Sequence, residues 1–214
     1  SYGAALGTAA EKAAAVATPL EMAVSPDGGT LYLAAMGSNI NNFGTAQFAA
    51  LSAAQVASLS TAQVASLTTD QLNHLETADL RVMTSAQLRA LDSDQIGALT
   101  VTQAAAITTA QLQSLNTNAV SNLKTSQVAA LLTGQVNALT QSQVQNLSTQ
   151  QVNALLTTQV QALSTDQVGY LSSSQVKNLT TSQVQTLSST QITHVSTSGL
   201  AELSTAQVAA LATE

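Results

Sequence analysis

The sequence predicts a repeat solenoid that is mainly α-helical, with one short capped helix per eight-residue repeat and a small N-terminal β-hairpin. Three observations lead to this fold class: an unbroken eight-residue period, a helix-capping signature within the period, and a different composition in the first 42 residues. We therefore divide the chain into an N-terminal segment, residues 1–42, and an octapeptide array with a short tail, residues 43–214.

The octapeptide repeat, or octad, recurs without insertion or deletion. Its first residue stands at every eighth position from Phe43 to Leu203, which gives 21 repeats over residues 43–210. The consensus is Leu-Ser/Thr-Thr-x-Gln-Val-x-x, and we number its positions 1 to 8. Position 5 is Gln in 18 of the 21 repeats, the exceptions being Asp79, Ala119 and Gly199. An unbroken register indicates that each repeat packs on its neighbours in the same way.

Each octad carries the signals of one short helix. A continuous helix is excluded, because eight residues leave a drift of about 80° per repeat and the Leu stripe would wind around the axis. In the octad that begins at Leu59, Ser60 can cap a helix and Gln63 can complete a capping box, while Leu59 and Val64 take the positions of a hydrophobic staple. So short a helix is unstable alone, and stacking must stabilise it.

Two points remain open from the sequence. Position 2 is Glu76, Lys124, Leu132 or Leu156 in four octads, and there we expect the Thr that follows to cap a helix with a shifted start. The alternative fold is a β-solenoid with two octads per coil, since Thr, Val and Gln also suit stacked strands. The scarcity of Gly at the corners that such coils need favours helices.

The N-terminal segment has its own pattern. Ala4 to Val16 is Ala-rich and predicts a helix. Leu20 to Val24 and Thr30 to Ala35 flank Ser-Pro-Asp-Gly-Gly, which predicts a β-hairpin. A hairpin is marginal by itself and its edges can pair with other strands, so we predict that this segment joins subunits.

Composition narrows the function classes. The net charge is −6 with only five Lys and Arg, which argues against nucleic acid and anionic membranes as partners. No apolar run approaches the ~18 residues of a membrane span. Cysteine is absent, and His74 and His194 stand fifteen octads apart. We therefore expect no cofactor, no metal site and no enzymatic activity.

Two stretches resemble known families. The octads resemble the Thr/Gln/Val/Leu octapeptide-repeat arrays of large bacterial secreted or surface proteins, which are described as adhesin-like. Residues 23–34 resemble a strand pair of YVTN- or lactonase-type β-propellers. The first resemblance implies an extracellular or cell-surface location in bacteria and a structural role.

The function that follows is a structural extracellular fibre or filament subunit that self-assembles head to tail and has an adhesive role. The candidate assembly residues are Val24, Leu31, Tyr32, Leu33, Leu203, Val208 and Leu211. One alternative is a surface-binding module that recognises ice or a glycan through a ladder of Thr109, Thr117, Thr125 and Thr133. Another is a stalk fragment of a larger bacterial adhesin.

Overall fold

The computed structural model describes residues 22–24, 31–33 and 44–211. The predicted helix Ala4 to Val16 and the first position of the array, Phe43, lie outside these ranges. The chain divides into two compact units, Ser1–Leu99 and Thr100–Glu214, and the described residues of each unit are treated separately below.

The N-terminal hairpin is present. Strand β1 is Met22–Val24 and strand β2 is Leu31–Leu33, and they pair antiparallel. Met22 lies opposite Leu33 and Val24 opposite Leu31. The Pro-Asp-Gly-Gly turn that predicts this pairing falls between the two described strands.

The array is helical, with one helix in each octad, as the period and the capping signature predict. The β-solenoid alternative is wrong for the described residues, because every octad from position 44 onward forms a helix of five to seven residues. The 21 helices described are α1 Thr45–Ala49, α2 Ala53–Ala57, α3 Thr61–Ala65, α4 Thr69–Asn73, α5 Thr77–Val82, α6 Ser85–Ala90, α7 Ser93–Ala98, α8 Val101–Ala106, α9 Thr109–Ser114, α10 Thr117–Ser121, α11 Thr125–Ala130, α12 Thr133–Asn137, α13 Gln141–Asn146, α14 Thr149–Ala154, α15 Thr157–Gln161, α16 Thr165–Gly169, α17 Ser173–Lys177, α18 Thr181–Gln185, α19 Ser189–His194, α20 Thr197–Ala201 and α21 Thr205–Leu211.

The capping box fixes where each helix begins. In α3, the cap residue Ser60 is extended, with φ −70° and ψ 157°. Its hydroxyl accepts from the Gln63 backbone N–H at 3.2 Å, and its own N–H donates to Gln63 Oε1 at 2.8 Å. The backbone N–H groups of Ser60 and Gln63, which would otherwise lack partners, are thus both hydrogen-bonded within one turn.

The expected shift of the helix start does not occur where position 2 lacks a capping side chain. The four helices concerned still begin at position 3, at Thr77, Thr125, Thr133 and Thr157. No side-chain cap bond forms there, yet the Leu132 N–H still donates to Gln135 Oε1 at 2.6 Å. The position 5 side chain and the packing of positions 1 and 6 therefore hold the start of the helix in place.

The core consists of positions 1 and 6. Within the octad of Leu59, for example, Val64 is fully buried and Leu59 is 5% exposed. Helices pack on those three octads away: α3 on α6 in the first unit, and α9 on α12 in the second. Side-chain bonds between neighbouring coils instead span 28 to 31 residues. Since a bond from position 5 to position 1 adds four residues to the octad spacing, a span of 28 residues equals three octads, and one coil therefore takes three octads.

Candidate functional site: the glutamine ladder and the faces that end it

The position 5 glutamines, which we call the glutamine ladder, have two roles at once. Gln151 is 2% exposed. Its Oε1 accepts from the Ser148 N–H at 2.8 Å, which completes the capping box of its own helix. Its Nε2 donates to the carbonyl oxygens of Val120, Ser121 and Leu123 at 3.0, 3.1 and 2.7 Å. One amide therefore caps its own helix and ties that helix to the preceding coil.

The same tie recurs along both units. Gln87 donates to the carbonyls of Val56, Ala57 and Leu59 in the first unit, at 3.2, 3.1 and 2.7 Å. Equivalent bonds in the second unit are made by Gln143, Gln159, Gln167, Gln183 and Gln191. The acceptors are carbonyls of the last helical turn and of the position 1 residue that follows the helix. The Val56 and Val120 carbonyls also accept from the backbone N–H of Leu59 and Leu123 at 3.2 Å.

Sequence reasoning missed this second role, although one signal for it exists. Glutamate completes a capping box as well as glutamine does, because only the side-chain oxygen is needed. Position 5 nevertheless contains no glutamate in any of the 21 octads. The preference for glutamine over glutamate therefore indicates a role for the amide N–H, and it implies an acceptor elsewhere in the structure.

The repeat unit defined by this ladder matches a known family. The ALTTAQ repeat family model matches residues 40–75, 72–109, 104–141 and 141–173. The chain belongs to the ALTTAQ repeat family. No curated protein and no solved structure matches the chain. The six letters correspond to position 8 of one octad followed by positions 1 to 5 of the next, as in Ala98 to Gln103.

One ALTTAQ octad replaces the ladder amide by a buried acid. Asp79 is 4% exposed and accepts from the Glu76 N–H at 3.1 Å, so it keeps half of the capping box. Burial raises the pKa of this carboxyl, the backbone hydrogen bond from Glu76 partly offsets that rise, and the nearby Glu76 charge adds to it. Asp79 cannot donate to the preceding coil when ionised, so it is a weak point in the ladder.

The first described coil of the ALTTAQ array ends the ladder with free donors. Gln55 and Gln63 are half-buried, whereas ladder glutamines of the second unit such as Gln151 are almost fully buried. Each completes its capping box, with Oε1 accepting at 2.8 Å. Within the described residues, neither Nε2 has an acceptor. We call the surface formed by Gln55 and Gln63 the head face.

The last described coil is open in the complementary sense. Position 6 is 1% exposed at Val184, but 38% exposed at Leu200 and 52% at Val208. The last ladder bond joins Gln207 Nε2 to the Leu179 carbonyl at 2.6 Å. In the described residues, no ladder amide reaches the carbonyls of Val195 and Leu203. We call the surface formed by Leu200, Val208 and these two carbonyls the tail face.

The candidate assembly residues fall into two groups. Leu203 and Leu211 are half-buried and line one apolar pocket together with Leu200, while Val208 is exposed on α21. The others lie on the hairpin, where Val24 pairs with Leu31, Tyr32 with Ala23, and Leu33 with Met22. These are backbone pairings within the hairpin, and they do not test whether the hairpin joins subunits, which stays a prediction.

The four candidate ladder threonines do not form one row. Thr109 and Thr133 begin α9 and α12, which pack together, whereas Thr117 begins α10, which packs on α13. Thr125 lines a shallow polar groove with Thr149 and Asn153. A row in space instead follows every third octad, because helices pack at that interval. The series so defined in the second unit is Thr109, Thr133, Thr157, Thr181 and Thr205.

The remaining polar groups make local contacts. His74 and His194 each place Nδ1 within 2.8 Å of a carbonyl four residues earlier, that of Asp70 and of Thr190. In the described part of the chain, no cluster of three metal-ligating side chains occurs. Lys177 and Glu202 form an exposed ion pair at 2.9 Å, which raises the pKa of Lys177. None of the described helices has the length and apolar character needed to cross a membrane.

Proposed function

We propose that the protein is a structural subunit of an extracellular fibre, in which copies join head to tail through their ALTTAQ arrays. The observation that carries this proposal is the glutamine ladder. Within each unit, successive coils are joined by the same amide hydrogen bonds and by the same two apolar positions. A contact that repeats identically has no built-in limit, which suits a protein that supplies length and stiffness.

The outer surface of the array supports a passive mechanical role. Position 5 is buried in the coils, and positions 1 and 6 supply the core, so the exposed positions carry mainly Thr, Ser, Ala, Asn and Gln. Residues 125–165 contain no charged side chain at all. A neutral polar surface gives little long-range attraction to charged macromolecules and suits an adhesive or inert fibre. The absence of cysteine is compatible with a secreted protein.

Electron microscopy of the purified chain over a dilution series tests the proposal. We expect uniform filaments at high concentration that shorten on dilution, with sedimentation velocity giving the same concentration dependence. A chain that stays monomeric over the whole series would contradict the fibre role. It would then favour a stalk or a binding module.

A second candidate function is binding to ice or to a glycan. The threonine series that begins at Thr109 supports it, since five successively packed helices each begin with Thr and four of these side chains are exposed. Replacing Thr133 and Thr181 by Lys should then abolish thermal hysteresis or glycan retention and leave the helical circular dichroism unchanged. Parent protein that shows neither hysteresis nor retention would exclude this function.

A further inference from the structure

Two exposed leucines stand side by side in the second unit. Position 2 is Leu in only two of the 21 octads, at Leu132 and Leu156. These residues precede α12 and α15, which pack on each other, so the two leucines stand one coil apart in the same row of helices. Their side chains are exposed to 59% and 52%. Two rare departures from the consensus at adjacent places indicate one shared surface.

The fold itself would be more stable with other residues at these places. Sixteen of the 21 octads have Ser, Thr, Asp or Asn at position 2, and such side chains cap a helix. Leu132 and Leu156 make no side-chain cap bond. Gly134, inside α12, weakens that helix relative to alanine, although a Cβ at this position would meet nothing within 4 Å. Departures that cost stability and are concentrated in one place are typical of a functional surface.

The row of helices that contains the leucines bears no charge. Helices α9, α12, α15 and α18 pack in succession, and we call the surface formed by these four helices the uncharged face. Its octads, residues 107–114, 131–138, 155–162 and 179–186, contain no Asp, Glu, Lys, Arg or His. The charged side chains of residues 100–211 all belong to octads of the other two rows: Lys124, Asp166, Lys177 and Glu202.

We propose that two copies of this chain associate side by side through the uncharged face, with Leu132 and Leu156 of one copy packed on the same two residues of the other. This lateral contact goes beyond the head-to-tail joining proposed above and does not depend on it. A two-fold contact brings a surface against the same surface of the partner. Two leucines one coil apart fit that requirement, because each can meet a leucine of the second copy.

The charge distribution favours a second copy as the occupant. At a net charge of −6, two copies repel each other least when they meet where neither bears a charge. A partner with a charged surface would lose water from its charges and find no opposite charge on the uncharged face. Thr133 and Thr157, next to the leucines, have hydroxyls that both donate and accept, so the same residues of a second copy can pair with them.

The small size of the apolar centre sets the strength of the contact. Two leucines per copy correspond to a weak dimer that depends on concentration, since stable complexes bury larger surfaces. Copies that are already aligned in a fibre would make several such contacts at once, and the contacts would then reinforce one another. The dimer is therefore measured on separate chains, and its effect on fibres is measured as filament width.

The test is the double substitution Leu132→Asp with Leu156→Asp in the full chain. Aspartate is a good cap residue, so this variant supplies the two missing cap bonds and also places two charges on the uncharged face. The matched control is Thr140→Asp with Ser164→Asp. Both of these exposed residues cap their helices, and they stand 24 residues apart, as the two leucines do. The control therefore adds the same charge at the same octad position, in another row.

Sedimentation velocity over a dilution series, below the concentration that gives filaments, measures the dissociation constant of the dimer. We expect the leucine variant to raise this constant by about tenfold or more and the control to change it by less than about threefold. The thermal unfolding midpoint of the leucine variant should be equal to that of the parent or higher. Gly134→Lys, which should stabilise α12 and obstruct the same face, should also weaken the dimer.

The outcomes separate the lateral contact from the fibre function. A parent that stays monomeric over the whole series, or a leucine variant that dimerises as the parent does, would overturn the lateral contact. Equal weakening by the control would also overturn it, because the loss would then follow from net charge alone. Dimers without filaments would support the lateral contact and contradict only the fibre function. If filaments form, we expect those of the leucine variant to be thinner under the electron microscope.

Discussion

Gln151→Glu is the substitution that most sharply separates the two roles of the ladder amide. The change keeps the side-chain oxygen that accepts from Ser148 and replaces the amide donor by a second oxygen. That oxygen would face the carbonyls of Val120, Ser121 and Leu123, which now receive hydrogen bonds of 2.7 to 3.1 Å. The capping box would survive while the tie between coils is lost.

The expected loss is large for one isosteric change. A hydrogen bond donated by the side-chain amide contributes about 1 kcal/mol net to the free energy of unfolding, and leaving its buried acceptors without that donor costs about 1–3 kcal/mol more. A carboxylate buried beside three carbonyls adds a further penalty unless it takes up a proton. We therefore expect the free energy of unfolding to fall by about 3 kcal/mol or more at pH 7. The deficit should shrink as the pH falls, since a raised Glu pKa means that the folded state binds the proton more tightly.

Gln63→Glu is the matched control, because the Nε2 of Gln63 has no acceptor among the described residues. Urea unfolding followed by circular dichroism should show a change within about 0.5 kcal/mol for this variant, measured below the assembly concentration. Equal destabilisation by both substitutions would refute the reasoning, since it would mean that the capping box and not the tie between coils sets the requirement for glutamine.

Two further predictions concern octads that depart from the consensus. Asp79→Gln should stabilise the chain at pH 7 by about 1–3 kcal/mol in urea unfolding, because it removes a buried acid and restores the ladder donor. Because burial raises the pKa of Asp79, the parent should lose stability relative to this variant as the pH rises from about 4 towards 7. A stability difference that stays constant over that pH range would contradict the assignment. Leu132→Thr and Leu156→Thr should each raise the free energy of unfolding by about 1 kcal/mol. Both leucines are more than half exposed, and both stand at cap positions that make no side-chain cap bond. Thermal unfolding midpoints that fall instead would show that these side chains make a contact that the fold needs.

The local part of the fold could be predicted from the sequence because its determinants lie within one octad. Ser60 and Gln63 stand three residues apart, and their side chains and backbones form the box that the spacing predicts. Leu59 and Val64 pack in the core as the staple positions indicate. Hairpin strands likewise follow from a turn signal between two short apolar runs.

The contacts between octads could not be predicted in the same way, because they depend on how many octads complete one coil. That number fixes which carbonyls Gln151 reaches, and it lies in the packing of helices and not in the repeat itself. Because the number of octads per coil was not known from the sequence, Thr109 and Thr117 were assigned to one candidate ladder. In the structure, the helix that begins at Thr109 packs instead on the helix that begins at Thr133. A missing residue type was the available clue, since no octad has glutamate at position 5.

The central claim is that the octad is the structural unit and that the ladder ties coils at a fixed spacing. Two deletions test it directly: removal of residues 140–147, one whole octad, and removal of residues 140–146. After the first deletion Gln151 stands 28 residues beyond Leu115, whose carbonyl is equivalent to that of Leu123, so every ladder bond can re-form. We predict cooperative unfolding close to that of the parent for the eight-residue deletion and loss of cooperative structure from the deletion site onward for the seven-residue one. Equal stability of the two shortened chains would contradict the account.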